Sequence, residues 1–161
     1  MASKTDFSAS EWDLLRKAPL TASLIVVAAS PSGPLGLLKE SAAATKMMLS
    51  AASAAQSPLL KSLTEDLRSN VSLPELPRTT DPAQLRASAM ETIKASSALL
   101  ASKASPEEAQ EFRQWLAKIA QATAEATKEG GFLGFGGTQV SSEEQAALAD
   151  IHEALGLPKA A

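Results

Sequence analysis

The sequence contains no cysteine, which excludes disulfides, thiolate zinc sites, iron–sulfur clusters and cysteine nucleophiles. A single histidine cannot build a multi-histidine metal site. Tyrosine is absent and phenylalanine occurs four times, which leaves no set of rings for stacking bases. The net charge of -3 supplies no basic face, so nucleic acid is not an expected partner. Long apolar runs are lacking as well. The strongest, Leu20 to Ala29, would span about 15 Å as a helix, half of a bilayer core. It reads as a buried core helix, and no transmembrane segment is expected. Met1 to Asp6 carries no apolar stretch of the kind a secretory signal needs. Together with the missing thiols, this points to a cytoplasmic protein.

What the chain does contain is alanine. The 161 residues are 45% apolar, but 32 of them are Ala, and Leu, Ile, Val and Phe together number 34. That is one-domain length with a thin supply of large core side chains. Such a chain folds when helices approach closely on Ala and Ser.

Helix-start signals recur. Ser8-Ala9-Ser10-Glu11 has the spacing of a capping box, in which the Ser hydroxyl and the Glu carboxylate each satisfy a free backbone N–H. Ser57-Pro58, Asp81-Pro82 and Ser105-Pro106 put a capping residue before a Pro at the first helical position. Asp81 and Ser105 have Gln84 and Glu108 three residues on, and Ser141 has Glu144, with Val140 just before it. Phe112, Trp115, Leu116 and Ile119 recur at helical spacing, as do Leu85, Ala89, Ile93 and Leu100, and Leu148, Ile151 and Leu155. No stretch alternates at period two, so no sheet is expected. The expected architecture is all-α, a single-domain bundle of six to seven helices over 9–17, 19–29, 35–55, 58–69, 82–102, 106–128 and 142–155. Residues 70–80 hold two Pro and form a crossover between halves 8–69 and 81–157 of a domain spanning 1–161, because neither half carries a core of its own. Trp12 and Trp115 are expected as core anchors.

Two loops stand out. Gly130 to Gly137 reads Gly-Gly-Phe-Leu-Gly-Phe-Gly-Gly. Leaving Phe132, Leu133 and Phe135 in water would forgo roughly 1.5–3 kcal/mol of burial each. Either they dock into the bundle or they meet a ligand, a partner or a bilayer. The earlier loop, Ser32-Gly33-Pro34-Leu35-Gly36, shares its Gly-x-Leu-Gly with Gly131-Phe132-Leu133-Gly134, 98 positions on. Each loop leads into a helix with acidic residues near its start: Glu40 after the first, Glu143 and Glu144 after the second. A real repeat would divide the bundle into two pseudo-symmetric halves.

This order resembles the TerB-like tellurite-resistance family, whose first loop runs Ala-Ala-x-Asp-Gly and leads to a helical Glu. Here Ala28-Ala29-Ser30-Pro31-Ser32-Gly33-Pro34-Leu35 and Glu40 occupy that place, with Ser32 where the family has Asp and Glu40 later than its usual spacing. Val140-Ser141-Ser142-Glu143-Glu144 is similar to the family's second helix start. The resemblance implies an all-helical fold, a stress-linked role, and a divalent cation held by Glu40, Glu143 or Glu144. The residues themselves also explain Glu143 and Glu144 as favourable charge at a helix N-terminus.

Other chemistry finds little support. Gly131 to Thr138 has phosphate-loop spacing, but Gly137 stands where the lysine is required. Gly-x-Ser-x-Gly does not occur. His152 lies beside the Leu148–Ile151–Leu155 stripe and reads as a half-buried structural residue; an enzyme would have to centre on it and a nearby carboxylate. The sequence therefore points to a non-enzymatic binding or interaction module. Gly33, Leu35, Phe132, Leu133 and Phe135 would form one face, no cofactor is expected, and the partner would be a protein, a small apolar ligand or a second copy of the chain.

Overall fold

Each of the five start signals opens a helix. Ser8 Oγ accepts from the Glu11 backbone N–H at 3.2 Å while the Glu11 carboxylate accepts from Ser8 N at 2.7 Å. Ser57 Oγ accepts from Leu60 N, and Asp81 Oδ1 from Ala83 N. Ser105 and Glu108, and Ser141 and Glu144, cap each other reciprocally. The computed structural model describes residues 1–29, 42–48, 50, 55–69, 81–126 and 140–158. A 3-10 turn at Lys4–Asp6 precedes α1 (Ala9–Ala29). Then come α2 (42–48), α3 (Pro58–Ser69), α4 (Pro82–Lys103), α5 (Pro106–Ala126) and α6 (Ser142–Ala154). The chain is all-helical, with six helices in one domain and no strand among the described residues. The Pro-containing crossover at 70–80 and most of the segment expected as a helix over 35–55 lie outside the described residues.

The separate helices expected at 9–17 and 19–29 are one, and Pro19 sits inside it. Proline there removes the N–H that the Leu15 carbonyl would accept, which costs about 3 kcal/mol in a helix interior. Burial outweighs that cost. Leu15, Ala18, Pro19, Ala22, Ile25 and Val26 are all buried, each large side chain contributing about 1.5–3 kcal/mol. Thr21 Oγ1 donates to the Ala18 carbonyl at 2.8 Å and to the Lys17 carbonyl at 3.2 Å, giving neighbouring carbonyls an extra donor beside the break.

The helix α1 packs chiefly on α4 and α5, and also on α6. Its direction relative to its neighbours follows from the polar contacts. Lys103, the last residue of α4, reaches Glu11 in the first turn of α1 at 2.7 Å, so α1 and α4 are antiparallel. Ala2, just before α1, docks on Glu108 in the first turn of α5, and Ser23 meets Thr123 at 3.3 Å further along. Helices α1 and α5 therefore run in the same direction. The helices before and after residues 70–80 pack on each other, α1 against α4, α5 and α6. Alanine makes the close approach feasible, since Ala18, Ala22, Ala89, Ala120, Ala124 and Ala147 are completely buried. Phe112 and Trp115 meet edge to face at 5.9 Å between centroids. Trp12 and Trp115 are both buried anchors. The Trp12 indole N–H donates to Asp66 at 3.3 Å, while that of Trp115 has no partner among the described residues.

Candidate functional site

The residues proposed from the sequence as a binding face, Gly33, Leu35, Phe132, Leu133 and Phe135, lie outside the described residues, as does Glu40. Their flanks are described. Parallel α1 and α5 end at Ala29 and Ala126 on the same side of the bundle, with Ser23 and Thr123 in contact shortly before. Antiparallel α4 begins there. The ion pair Arg86–Asp150 ties α4 to α6, and Glu153 and Ala154 line a cleft with Met90 and Lys94 further along α4. Helix α6 thus runs in the direction of α4 and also begins at this end.

Glu143 and Glu144, adjacent in sequence, have different environments. Glu143 is exposed. Its own backbone N–H and the Ser142 hydroxyl hold its carboxyl below the usual range against a small opposing effect of burial. Ser142 Oγ donates to Glu143 Oε2 at 3.0 Å. Glu144 is 2% exposed. Its Oε2 accepts from Ser141 N at 2.8 Å, whereas its buried Oε1 has no hydrogen-bond partner among the described residues. Among the described residues no three His, Asp or Glu side chains gather as a metal would require.

His152 is half-buried, and its Nδ1 lies 2.6 Å from the Pro158 carbonyl oxygen. It belongs to the end of α6. There Gly156 adopts φ +64°, Leu157 N donates to the His152 carbonyl, and Gly156 N to that of Glu153. This double closure needs a left-handed residue, which glycine adopts without steric cost. His152 is not among the residues lining the α4–α6 cleft. Gly156-Leu157-Pro158 was a legible helix stop, though nothing in the sequence pairs His152 with Pro158.

The opposite end holds features that sequence reasoning missed. Asp66 of α3 gathers Lys4 Nζ at 2.7 Å, Arg16 Nε at 2.9 Å and the Trp12 indole. Burial would raise its pKa, but the bonds from Lys4 and Trp12 and the charges of Lys4 and Arg16 prevail and lower it. Glu111 of α5 clamps the start of α3, accepting from Gln56 N at 2.6 Å and Ser57 N at 3.0 Å. Burial opposes ionisation there too, and the hydrogen bonds from Ser57 and Gln56, with Lys61 nearby, lower the pKa. Beside this clamp a cleft of about 670 Å³ runs between the start of α3 and the outer face of α5, lined by Gln56, Pro58, Glu107, Gln110, Gln114 and Lys118 among others.

No helix among the described residues is long and apolar enough to cross a membrane. No family model, curated protein or solved structure matches the chain.

Proposed function

We propose that the chain is a non-enzymatic binding or interaction module. Its binding face is the Gly-rich apolar loop 130–137 together with loop 30–36, the segments that follow α5 and α1 in the chain. The observation that supports this reading is the parallel run of those two helices with Ser23 against Thr123, by which the helices preceding the two loops end on the same side of the bundle. Three of the scarce large apolar residues, Phe132, Leu133 and Phe135, are spent in that loop, and they suit a protein surface, a small apolar ligand or a second copy of the chain. The lack of thiols suits the reducing cytoplasm. The test is the triple change F132S/L133S/F135S in the full chain, measured by thermal unfolding and by binding of the apolar dye anilinonaphthalene sulfonate. An unchanged midpoint with weakened dye binding is expected. A midpoint lowered by several degrees would show that the three residues are packing and would overturn the proposal.

One observation favours a second reading, the TerB-like stress protein with a divalent cation at Glu40, Glu143 and Glu144. Oε1 of Glu144 is a buried carboxylate oxygen without a partner among the described residues, and hard cations take oxygen ligands. On this reading calorimetric titration with Ca²⁺ or Mg²⁺ yields a heat of binding that Glu144→Gln abolishes. No heat from the wild-type chain removes the reading.

A further inference from the structure

Helices α1, α4, α5 and α6 form the centre of the bundle, and each packs against the other three. Helix α3 stands outside that set. It leans on α5, on α1 and on the turn at Lys4–Asp6. Its burial is one-sided to match: Leu59, Leu60, Leu63 and Thr64 are buried, while Lys61, Glu65 and Arg68 are exposed. Its buried hydroxyl asks nothing of the bundle, because Thr64 Oγ1 donates to the carbonyls of Leu60 and Lys61 in its own helix, at 2.8 and 2.9 Å.

Among the described residues, the polar bonds that join α3 to the rest of the chain gather at its two ends. At the start, Glu111 of α5 accepts from the backbone N–H groups of Gln56 and Ser57, which lead into the helix at Pro58. Near the other end, Asp66 takes Lys4, Arg16 and the Trp12 indole. Asp66 lies nine positions after Ser57, about 13 Å along the helix, and the stretch between is held to its neighbours by apolar contact. Both clasps end on a carboxylate, and such charge-assisted bonds are roughly twice as strong as neutral ones. Lifting α3 would break these two clasps and bare three leucines. It would leave every pairing within the four central helices intact.

We infer that α3 is a latched flap: it opens from the four central helices as a unit, and the carboxylates of Glu111 and Asp66 set how seldom it does. Contiguous elements of a fold open with free energies of their own, below that of global unfolding, when few buried contacts tie them to the rest. The leucine face supplies the closing contact of the flap, and the two latches add to it at either end. The open form shows Leu59, Leu60 and Leu63 together with the faces of α5 and α1 beneath them, while the central helices stay folded. A change at either latch therefore makes apolar surface available on the flank of the bundle, independently of loops 30–36 and 130–137.

Amide hydrogen exchange of the full chain at neutral pH, read peptide by peptide, tests this. Amides 61–69 are expected to exchange at least about tenfold faster than those of 115–124 in α5, the mark of an element that opens below global unfolding. Glu111→Ala should quicken 61–69 by about a further tenfold, the effect of losing an acceptor that holds two N–H groups. It should leave 85–103 and 115–124 within about twofold of the native chain. Asp66→Asn should quicken 61–69 together with 2–20, which share that latch. Exchange of 61–69 in step with 115–124 in the native chain overturns the proposal, whether or not the variants fold. So does a folded Glu111→Ala that quickens all three segments alike or leaves 61–69 unchanged.

Discussion

At the end of the bundle where α1 and α5 begin, Lys4, Trp12 and Arg16 converge on Asp66, Lys103 reaches Glu11, and Ala2 docks on Glu108. At the end where the same helices finish, the fastenings among the described residues are the Arg86–Asp150 pair, the Ser23–Thr123 contact and the local caps at Asp81 and Ser141. The first set joins residues 50 to 106 positions apart; the second has two contacts of that reach, 64 and 100 positions apart, and otherwise leans on side chains that bond their own helix. Among the described residues, more of the long-range polar contacts lie where α1 and α5 begin than where they finish.

Asp66→Ala should produce the largest effect of the changes that break this contrast. It strips three donors at once and leaves Arg16 and the Trp12 indole, both largely enclosed, without that acceptor. About 1–3 kcal/mol is expected for removing a partly buried charged acceptor, read as a lowered denaturation midpoint. Amide exchange should quicken in residues 2–20 and 58–69 well before it does in 119–126. Uniform quickening along the whole chain would show that the two ends are not held separately.

Acid sharpens the same contrast without mutation. Asp66 and Glu111 have pKa values lowered from 3.8 and 4.5. A group whose folded value is depressed contributes stability above its unfolded value and loses it as pH falls through the folded one. The loss therefore begins near pH 4.5 and continues below 3.8. Asp6 and Glu11, also lowered, belong to the same end. On lowering the pH from 5 to 3, Trp12 fluorescence should change before that of Trp115, measured in single-tryptophan variants. Simultaneous change would place the acid-sensitive groups elsewhere.

Arg86→Ala should have the smallest effect. The pair with Asp150 is exposed, and exposed pairs are worth about 0–1 kcal/mol. A midpoint shift within about 4 °C is expected; a larger one would mean that α6 depends on this contact as α1 and α3 depend on Asp66.

The contrast also explains what could be read from the sequence. Caps are local, so Ser105-Pro106 with Glu108, or Ser141 with Glu144, announced their helices across three residues. The Phe112–Trp115–Leu116–Ile119 stripe announced a core face, and Trp12 and Trp115 an anchor each. The clasps are not local. Nothing near Asp66 says that it will receive Lys4 and Arg16, and Glu108 was legible as a cap but not as the dock of Ala2, because that contact exists only after the helices pack. Pro19 misled for a related reason: its local cost is visible in the sequence, whereas the burial of Leu15, Ala22 and Ile25 that outweighs it is a property of the assembled bundle. Of the candidate site, the sequence marked the two Gly-rich loops by composition, and their common root by nothing at all, since that depends on the parallel run of α1 and α5.

The Ser23–Thr123 contact has a consequence for that root. Thr123 Oγ1 also donates to the Ile119 carbonyl at 2.8 Å, so the hydroxyl is held in place by its own helix while it meets Ser23. Ala29 lies about 9 Å further along α1 and Ala126 about 4.5 Å further along α5, at the ordinary rise per residue. Two short hydroxylated side chains thus act as a spacer that fixes how far apart the two helix ends emerge. Side-chain volume at positions 23 and 123 is a dial on the spacing of α1 and α5 near their ends, one that natural variation or design could turn without altering a single loop residue.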